Sequence, residues 1–111
     1  MDVSEALEFA GENHRAVLAT RRRDGSPQLS PVACATTDGR IVLSSRETAI
    51  KVKNLRRDPR ASLCIMNDGF YGAWVQVDGP AEIVSLPAAM EREQRVLIRV
   101  TPERAGPNVS G

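Results

Sequence analysis

The sequence predicts a mainly β protein, a small antiparallel β-barrel with flanking helices. About six segments carry the alternating or concentrated apolar pattern of strands. Turn signals separate these segments at intervals of about eight to twelve residues, and one helical pattern interrupts them near the middle of the chain. Because six strands in an open sheet would leave long unpaired edges, the pattern favours a closed barrel.

The N-terminal segment predicts a short helix. Asp2 and Glu5 have the spacing of a capping box, and apolar residues follow on one helical face. We expect this helix to end between Gly11 and Asn13.

The next three predicted strands form a meander. Residues 15–20 are apolar and alternating, residues 27–37 are extended, and residues 40–45 read IVLSS after an arginine. Asp24-Gly25 and Asp38-Gly39 mark the two tight turns between them.

A basic segment at residues 44–59 changes the period from two to that of a helix. Ala49, Ile50, Val52 and Leu55 can share one face, and the basic residues occupy the remainder. Pro59 should end the helix, since the residue before a proline is disfavoured in helical conformation.

The second half predicts three further strands. They cover 61–66, 73–84 with an irregularity at Gly79-Pro80, and 95–102. Residues 86–94 read as a short helix without a stop residue, and the Pro/Gly-rich residues 101–111 should be mobile unless they pack on a partner.

Composition limits the class of protein. A chain of 111 residues is expected to form one domain, and 41% hydrophobic with 26% charged residues is typical of globular proteins. A formal net charge of +1 and 4% aromatic residues argue against a nucleic-acid binder. No apolar run approaches the roughly 18 residues of a membrane span, and acids near the N-terminus argue against a signal peptide.

The two cysteines, Cys34 and Cys64, lie within apolar runs. Together with one histidine and no CxxC they indicate two buried free thiols, no metal site and a reducing cytoplasm.

The sequence lacks the common catalytic motifs, so we predict no catalytic residue. If the chain is an enzyme, a bound cofactor supplies the difficult chemistry. Ser44, Ser45 and Arg46 stand where a strand runs into a helix, and Lys51 follows. Hydroxyls, cations and a helix N-terminus favour a phosphate there, with Thr48 as a further donor. The alternative is a solvated basic helix, which we retain for Arg56 and Arg57.

Three motifs carry a family resemblance. T-x-x-x-D-G-x-P-x-x-x-P-V, K-V-x-N-L-x-R-D-P-R and V-x-G-x-A-x-I occur in this order within residues 15–85. Together they resemble the pyridoxamine 5′-phosphate oxidase-like split β-barrel superfamily, in particular its actinobacterial deazaflavin-dependent branch. The resemblance implies a six-stranded split barrel like that of FMN-binding proteins.

The resemblance also implies a homodimer with two flavin-type cofactors at its interface. Its phosphate-binding arginine and lysine correspond to Arg46 and Lys51, with Ser45 beside them. The strand along the cofactor ring corresponds to Gln28, Leu29, Ser30, Pro31 and Val32. Trp74 occupies the position of a residue that reaches the partner's cofactor, although a lone tryptophan is also typical of a core or an interface. Pro27 and Pro31 could alternatively only protect a sheet edge.

The leading hypothesis is an oxidoreductase that uses coenzyme F420 to transfer hydride to a small electrophilic acceptor. FMN is the alternative cofactor, and a non-catalytic flavin or F420 carrier is the alternative function; a nucleic-acid module is the least favoured reading. The run Arg21–Arg23 could receive a polyglutamate tail or could be a solvated hairpin.

Overall fold

A computed structural model of the chain describes residues 1–69, 72–85, 94–106 and 109–110. Within these residues it contains two helices and nine strands. The predicted helix at 86–94 lies almost wholly outside the described residues. The helices are α1 (Val3–Glu12) and α2 (Ile50–Arg57); the strands are β1 (Arg15–Arg21), β2 (Pro27–Ala33), β3 (Ala35–Thr37), β4 (Arg40–Arg46), β5 (Arg60–Met66), β6 (Ala73–Ser85), β7 (Arg95–Val100), β8 (Arg104–Ala105) and β9 (Val109–Ser110).

The strands form a curled antiparallel sheet, a split barrel. Its order is β2-β1-β5-β6-β7-β4-β3, so β2 and β3 lie at the two ends of the path. The six predicted strands are all present. The second is divided at Cys34, whose N–H donates to the His14 carbonyl at 2.8 Å in the register of β1 and β2; from Ala35 onward the chain pairs with β4 instead. The closed barrel expected from edge protection is therefore split between β2 and β3.

Strand β6 joins the two halves of the barrel. One edge of β6 pairs with β5 from Trp74 to Pro80, and the other pairs with β7 from Ala81 onward. The expected irregularity at Gly79-Pro80 is the place where β6 passes from one half to the other without a break in the strand. Within the tail, for which we predicted no strand, the short strands β8 and β9 pair with β6.

Alternation within the strands separates a buried inner face from an outer face. The inner residues of β1, β5, β6, β4 and β7 form the core together with two alanines of α1 and two residues of α2. The largest fully buried apolar side chains are Leu18, Ile41, Val52, Leu63, Ile65, Val75, Val77, Ile98 and Val100.

Helix α1 begins and ends as predicted and α2 ends as predicted, but the buried face of α2 differs. The Asp2 carboxylate accepts the Glu5 N–H at 2.8 Å, and α1 ends before Asn13. Helix α2 ends at Arg57, just before Asp58 and Pro59. Val52 and Leu55 are buried, whereas Ile50 is 56% exposed and the polar Asn54 is 5% exposed. The prediction of a shared apolar face is therefore wrong for Ile50.

The residues that connect α2 to β5 make the stability of the fold depend on pH at acidic values. Asp58 accepts the backbone N–H of Arg60 at 3.2 Å and its guanidinium at 2.7 Å and 3.0 Å. Hydrogen bonds from the Arg60 side chain, and then from its backbone, lower the pKa of Asp58 to about 2. The ionised carboxylate therefore stabilises the fold, fully above a pH of about 4 and progressively less as pH falls toward 2.

We expect Asp58→Asn to lower the urea midpoint at pH 6, because the ionised interaction with Arg60 is absent. The decline of the urea midpoint between pH 4 and pH 2 should be smaller in this variant, because asparagine has no carboxylate to protonate. Arg60→Gln should reduce the decline in the same way. Urea unfolding followed by circular dichroism at several pH values measures the effect. An acid decline identical to that of the wild type in both variants would contradict the assignment.

Candidate cofactor site

The end of β4 carries a cluster of cations and a hydroxyl on the outer face of the sheet. Arg46 pairs in register with Arg95 of β7, and Ser44 lies two residues before Arg46 on the same face. The Arg95 guanidinium donates to Ser44 Oγ at 2.8 Å. Like charges directly opposite each other on adjacent strands repel, so an anion bound here would relieve that repulsion. Arg95 was not among the predicted site residues.

Ser45 belongs to the opposite face. It is 3% exposed, and its hydroxyl donates to the Arg46 carbonyl at 3.1 Å. The three consecutive residues Ser44, Ser45 and Arg46 therefore do not form one surface, because alternate residues of a strand point to opposite faces. Ser45 can support the site only from the buried side.

The N-terminus of α2 has no side-chain cap. Ala49 is the N-cap residue, with extended backbone, and its methyl group cannot accept a hydrogen bond. The first backbone N–H groups of the helix, at Ile50 and Lys51, have no intrahelical acceptor, and they mark the positive end of the dipole. Lys51 is half-buried in this first turn. The geometry therefore favours an anion at this end of α2.

Within the described residues, no salt bridge compensates the cations around this end of α2. In the part of the chain that the structure describes, the carboxylates pair with other cations and not with Arg46, Lys51 or Arg95. Arg56, by contrast, lies 3.5 Å from Glu47, so its charge is offset by that carboxylate.

Strand β2 lies at the edge of the sheet and pairs only with β1 among the described strands. Pro27 and Pro31 have no N–H to donate, as expected at an edge. The predicted ring-binding residues divide between two faces. Gln28, Ser30 and Val32 are half-buried on the inner side, whereas Leu29, which is 62% exposed, and Pro31 are on the outer side.

Trp74 belongs to the outer face of β6, opposite Met66. It is half-buried and adjoins a group of apolar side chains whose outward direction follows from the strand registers. We call this group the outer apolar face: Val17, Ala19, Leu29, Pro31, Cys64, Met66 and Trp74. The group includes Cys64, which is half-buried and not fully buried as predicted, whereas Cys34 is buried; both thiols are free. Burial raises the pKa of both thiols.

A polar chain that the sequence analysis missed connects α2 to β2. The Asn54 side-chain amide donates to Thr20 Oγ1 at 3.1 Å, and Thr20 Oγ1 donates to Gln28 Oε1 at 3.2 Å. Arg57, which we expected to be solvated, donates to the Arg21 carbonyl and, at 3.3 Å, to Asn54 Oδ1. A polar residue in the apolar stripe of a short helix was the available signal, because buried amides require partners.

A cleft of about 570 Å³ lies elsewhere, between the β1–β2 turn and residues 103–104. None of the ten predicted cofactor-binding residues lines it, although Arg21 does. Its other two cations are offset, since Arg60 pairs with Asp58 and Arg104 pairs with Asp78. Because these charges cancel, the arrangement at β4 and α2 is the better anion site.

Two further observations bear on the kind of site. Within residues 1–69, 72–85 and 94–106, no three His, Cys, Asp or Glu side chains are grouped so as to hold a metal ion. Neither described helix has the length and apolar character needed to cross a bilayer.

Comparisons with known proteins agree with the fold. Residues 3–108 match the family described as pyridoxamine 5′-phosphate oxidase. A conserved hypothetical protein of Mycobacterium tuberculosis has a similar structure, with a TM-score of 0.79 and 29% identity over 95% of this chain and 82% of that protein. A structure titled F420 reductase has a TM-score of 0.74 and 22% identity over 89% of this chain and 94% of its own. A FAD-binding protein of Mesorhizobium loti has a TM-score of 0.73 and 21% identity, with 95% and 90% of the two chains covered.

Proposed function

Because the chain belongs to the pyridoxamine 5′-phosphate oxidase family, we propose that it is an oxidoreductase that binds coenzyme F420 and transfers hydride from the reduced deazaflavin to a small electrophilic organic acceptor. The observation that carries the proposal is the group of cations at the end of β4 and beside the uncapped N-terminus of α2, none of which forms a salt bridge with another described residue.

A phosphorylated cofactor fits these residues. Arg46 would grip phosphate oxygens through two N–H groups, and Lys51 would add a point charge from the first turn of α2. Ser44 accepts from Arg95, so its own proton remains available to a phosphate oxygen. Ser45 would support the Arg46 backbone from the buried side.

Strand β2 would hold the ring of the cofactor. An edge strand with two prolines leaves backbone and side-chain polar groups available to a ligand. A reduced deazaflavin supplies the hydride when bound, so the protein needs to align the acceptor and to exclude water. In this proposal the protein does not need to supply a catalytic acid or base, and the sequence predicted none.

The choice of F420 over FMN rests on the K-V-x-N-L-x-R-D-P motif and on the likeness to a structure titled F420 reductase. FMN needs the same phosphate contacts and is the alternative. Titration of the protein with each cofactor separately, followed by fluorescence, tests the proposal. Tighter binding of FMN would favour the alternative, and tight F420 binding without turnover of quinones, nitroaromatics or enones would indicate a carrier.

The run Arg21–Arg23 provides a further test of F420. Arg21 lines the cleft described above, and all three residues are exposed near the β1–β2 turn. If they bind the acidic tail of F420, reversal of all three to glutamate should weaken F420 binding strongly at low salt and weakly at high salt, because exposed charges are screened. FMN has no such tail and therefore serves as the control ligand. Unchanged F420 affinity at low salt would contradict this role.

We also propose that the protein is a homodimer and that the outer apolar face is its interface. Seven apolar side chains share one sheet face; most of them are half-buried and Leu29 is 62% exposed, and apolar residues grouped at a surface are typical of an interface. In such a dimer Trp74 could reach the partner's cofactor. Two free thiols on the chain suit a reducing cytoplasm.

A charge placed on the outer apolar face should dissociate the dimer. We expect the wild type to sediment at about twice the chain mass of 12.1 kDa and Leu29→Asp to sediment as a monomer, because a buried unpaired carboxylate is costly. Ile50→Asp, at the other large exposed apolar residue, serves as the control and should remain dimeric. A wild-type monomer, or an equal effect of both variants, would contradict the proposed interface.

A further inference from the structure

The hydrogen bonds between α2 and β2 run in one direction. Asn54 Nδ2 donates to Thr20 Oγ1, and the Thr20 hydroxyl donates to Gln28 Oε1. Thr20 is 1% exposed and Asn54 is 5% exposed, so neither side chain can exchange these partners for bulk water.

The direction of these hydrogen bonds is set by Arg57, because an arginine side chain can only donate. The Arg57 guanidinium donates to Asn54 Oδ1 at 3.3 Å, which turns the Asn54 amide nitrogen toward Thr20. The Thr20 hydroxyl has a single proton; because its oxygen accepts from Asn54, that proton goes to Gln28.

The chain ends at Ser30. Gln28 Nε2 donates to the Leu29 carbonyl at 3.0 Å and to Ser30 Oγ at 3.1 Å. Ser30 Oγ also donates to Gln28 Oε1, but at 3.4 Å this hydrogen bond is the longest of the chain. Because that hydrogen bond is long and weak, the Ser30 proton is the donor of the chain that an acceptor on a ligand along β2 can most easily redirect.

We propose that Arg57, Asn54, Thr20, Gln28 and Ser30 form a polar relay that makes Ser30 a hydrogen-bond donor, so that β2 recognises a carbonyl oxygen or another acceptor on the ring edge of its ligand. Asn54 is a positioning residue in this relay. The inference rests on the proposed function, because it assumes that the ring of the cofactor lies along β2.

Thr20 allows the relay to be interrupted without a change of charge. Thr20→Val keeps the shape and removes the hydroxyl, whereas Thr20→Ser keeps the hydroxyl. We expect Thr20→Val to weaken cofactor binding at least about tenfold and Thr20→Ser to stay within about twofold of the wild type, since one lost hydrogen bond with unpaired partners costs that much. Thermal unfolding checks that both variants fold.

Asn54→Asp should reverse the relay. The carboxylate still accepts from Arg57, but it must also accept the Thr20 proton, so Gln28 turns its amide nitrogen to Thr20 and its oxygen to Ser30. Ser30 then donates to the Gln28 oxygen over the shorter of their two contacts, so its proton is held there and is no longer available to the ligand. We expect Asn54→Asp and Ser30→Ala each to weaken binding about tenfold, and the double variant to be no weaker than Ser30→Ala alone.

The double variant also controls for the negative charge that Asn54→Asp adds. The effect of Asn54→Asp is measured once in the wild type and once in Ser30→Ala, and the added charge is the same in both. Additive losses would overturn the relay, as would equal binding by Thr20→Val and Thr20→Ser. The side-chain amide resonances of Gln28 in ligand-free protein give a readout without cofactor. They should shift in Asn54→Asp and in Thr20→Val but not in Thr20→Ser, and unshifted signals in the first two would overturn the relay.

The outcomes separate the relay from the proposed function. A wild type that binds neither F420 nor FMN overturns the proposed function and the recognition by Ser30. A wild type that binds, with variants that behave additively, overturns the relay alone.

Discussion

We expect Arg46→Ala combined with Lys51→Ala to abolish cofactor binding and to leave the fold intact. Each side chain would contribute a charge-assisted hydrogen bond worth about 1.5–3 kcal/mol, so the loss of both should weaken binding at least about a hundredfold. Folding should survive because Arg46 is exposed, Lys51 is half-buried, and neither pairs with a carboxylate in the described parts of the chain. Fluorescence titration with F420 and with FMN measures the loss.

The control removes two other cations from the same helix. Lys53→Ala with Arg56→Ala leaves the net charge equal to that of the first double variant, and both side chains are exposed. We expect its cofactor affinity to fall less than about threefold, because distant exposed charges are screened by salt. If both double variants lost affinity equally, general electrostatic attraction would explain binding, and the assignment of Arg46 and Lys51 would be wrong.

Gly79→Ala should cause the largest loss of stability. A methyl group at Gly79 would overlap the Thr101 carbonyl oxygen and would lie 2.9 Å from the Thr101 carbonyl carbon and 3.2 Å from the Glu103 nitrogen. These are backbone atoms beside paired strands, so the clash can be relieved only if β6 moves away from residues 101–103. We expect the free energy of unfolding to fall by about 3 kcal/mol or more, measured by urea unfolding.

A second glycine provides the control. Gly11 lies inside α1, and an added methyl group would meet only Thr36 Oγ1, at 3.4 Å. Gly11→Ala should therefore raise the free energy of unfolding by about 0.5–1 kcal/mol, because alanine favours the helix. A Gly79→Ala variant as stable as Gly11→Ala would mean that the close approach at the β6 crossing is not rigid.

The local elements of the fold were predictable because local chemistry determines them. The Asp2 cap, the Asp24-Gly25 and Asp38-Gly39 turns and the stop at Pro59 each depend on a few neighbouring residues. The division of the second strand at Cys34 was missed because no turn residue marks it. The strands β8 and β9 were missed because each has two residues and depends on a partner strand more than twenty residues earlier.

Most residues of the candidate site were suggested from the sequence, but Arg95 and the arrangement of the residues were not. The resemblance suggested Arg46 and Lys51, but only strand register shows that Ser44 and Ser45 face opposite sides and that Arg95 lies across from Arg46. Arg57 donates hydrogen bonds to the Asn54 side chain and to the carbonyl of Arg21, which lies 36 residues earlier in the chain. The second contact could not be predicted from the helical pattern, because that pattern describes only neighbouring residues.

The shared strand β6 also constrains the order of folding. The hairpins β1–β2 and β3–β4 can form from neighbouring residues, whereas β1 reaches β5 and β4 reaches β7 only after long segments of chain have closed into loops. Such topologies fold slowly, on a scale of about milliseconds to seconds. Because β6 joins both halves, its central amide protons should be among the last to exchange with solvent, and the barrel should open as one cooperative unit.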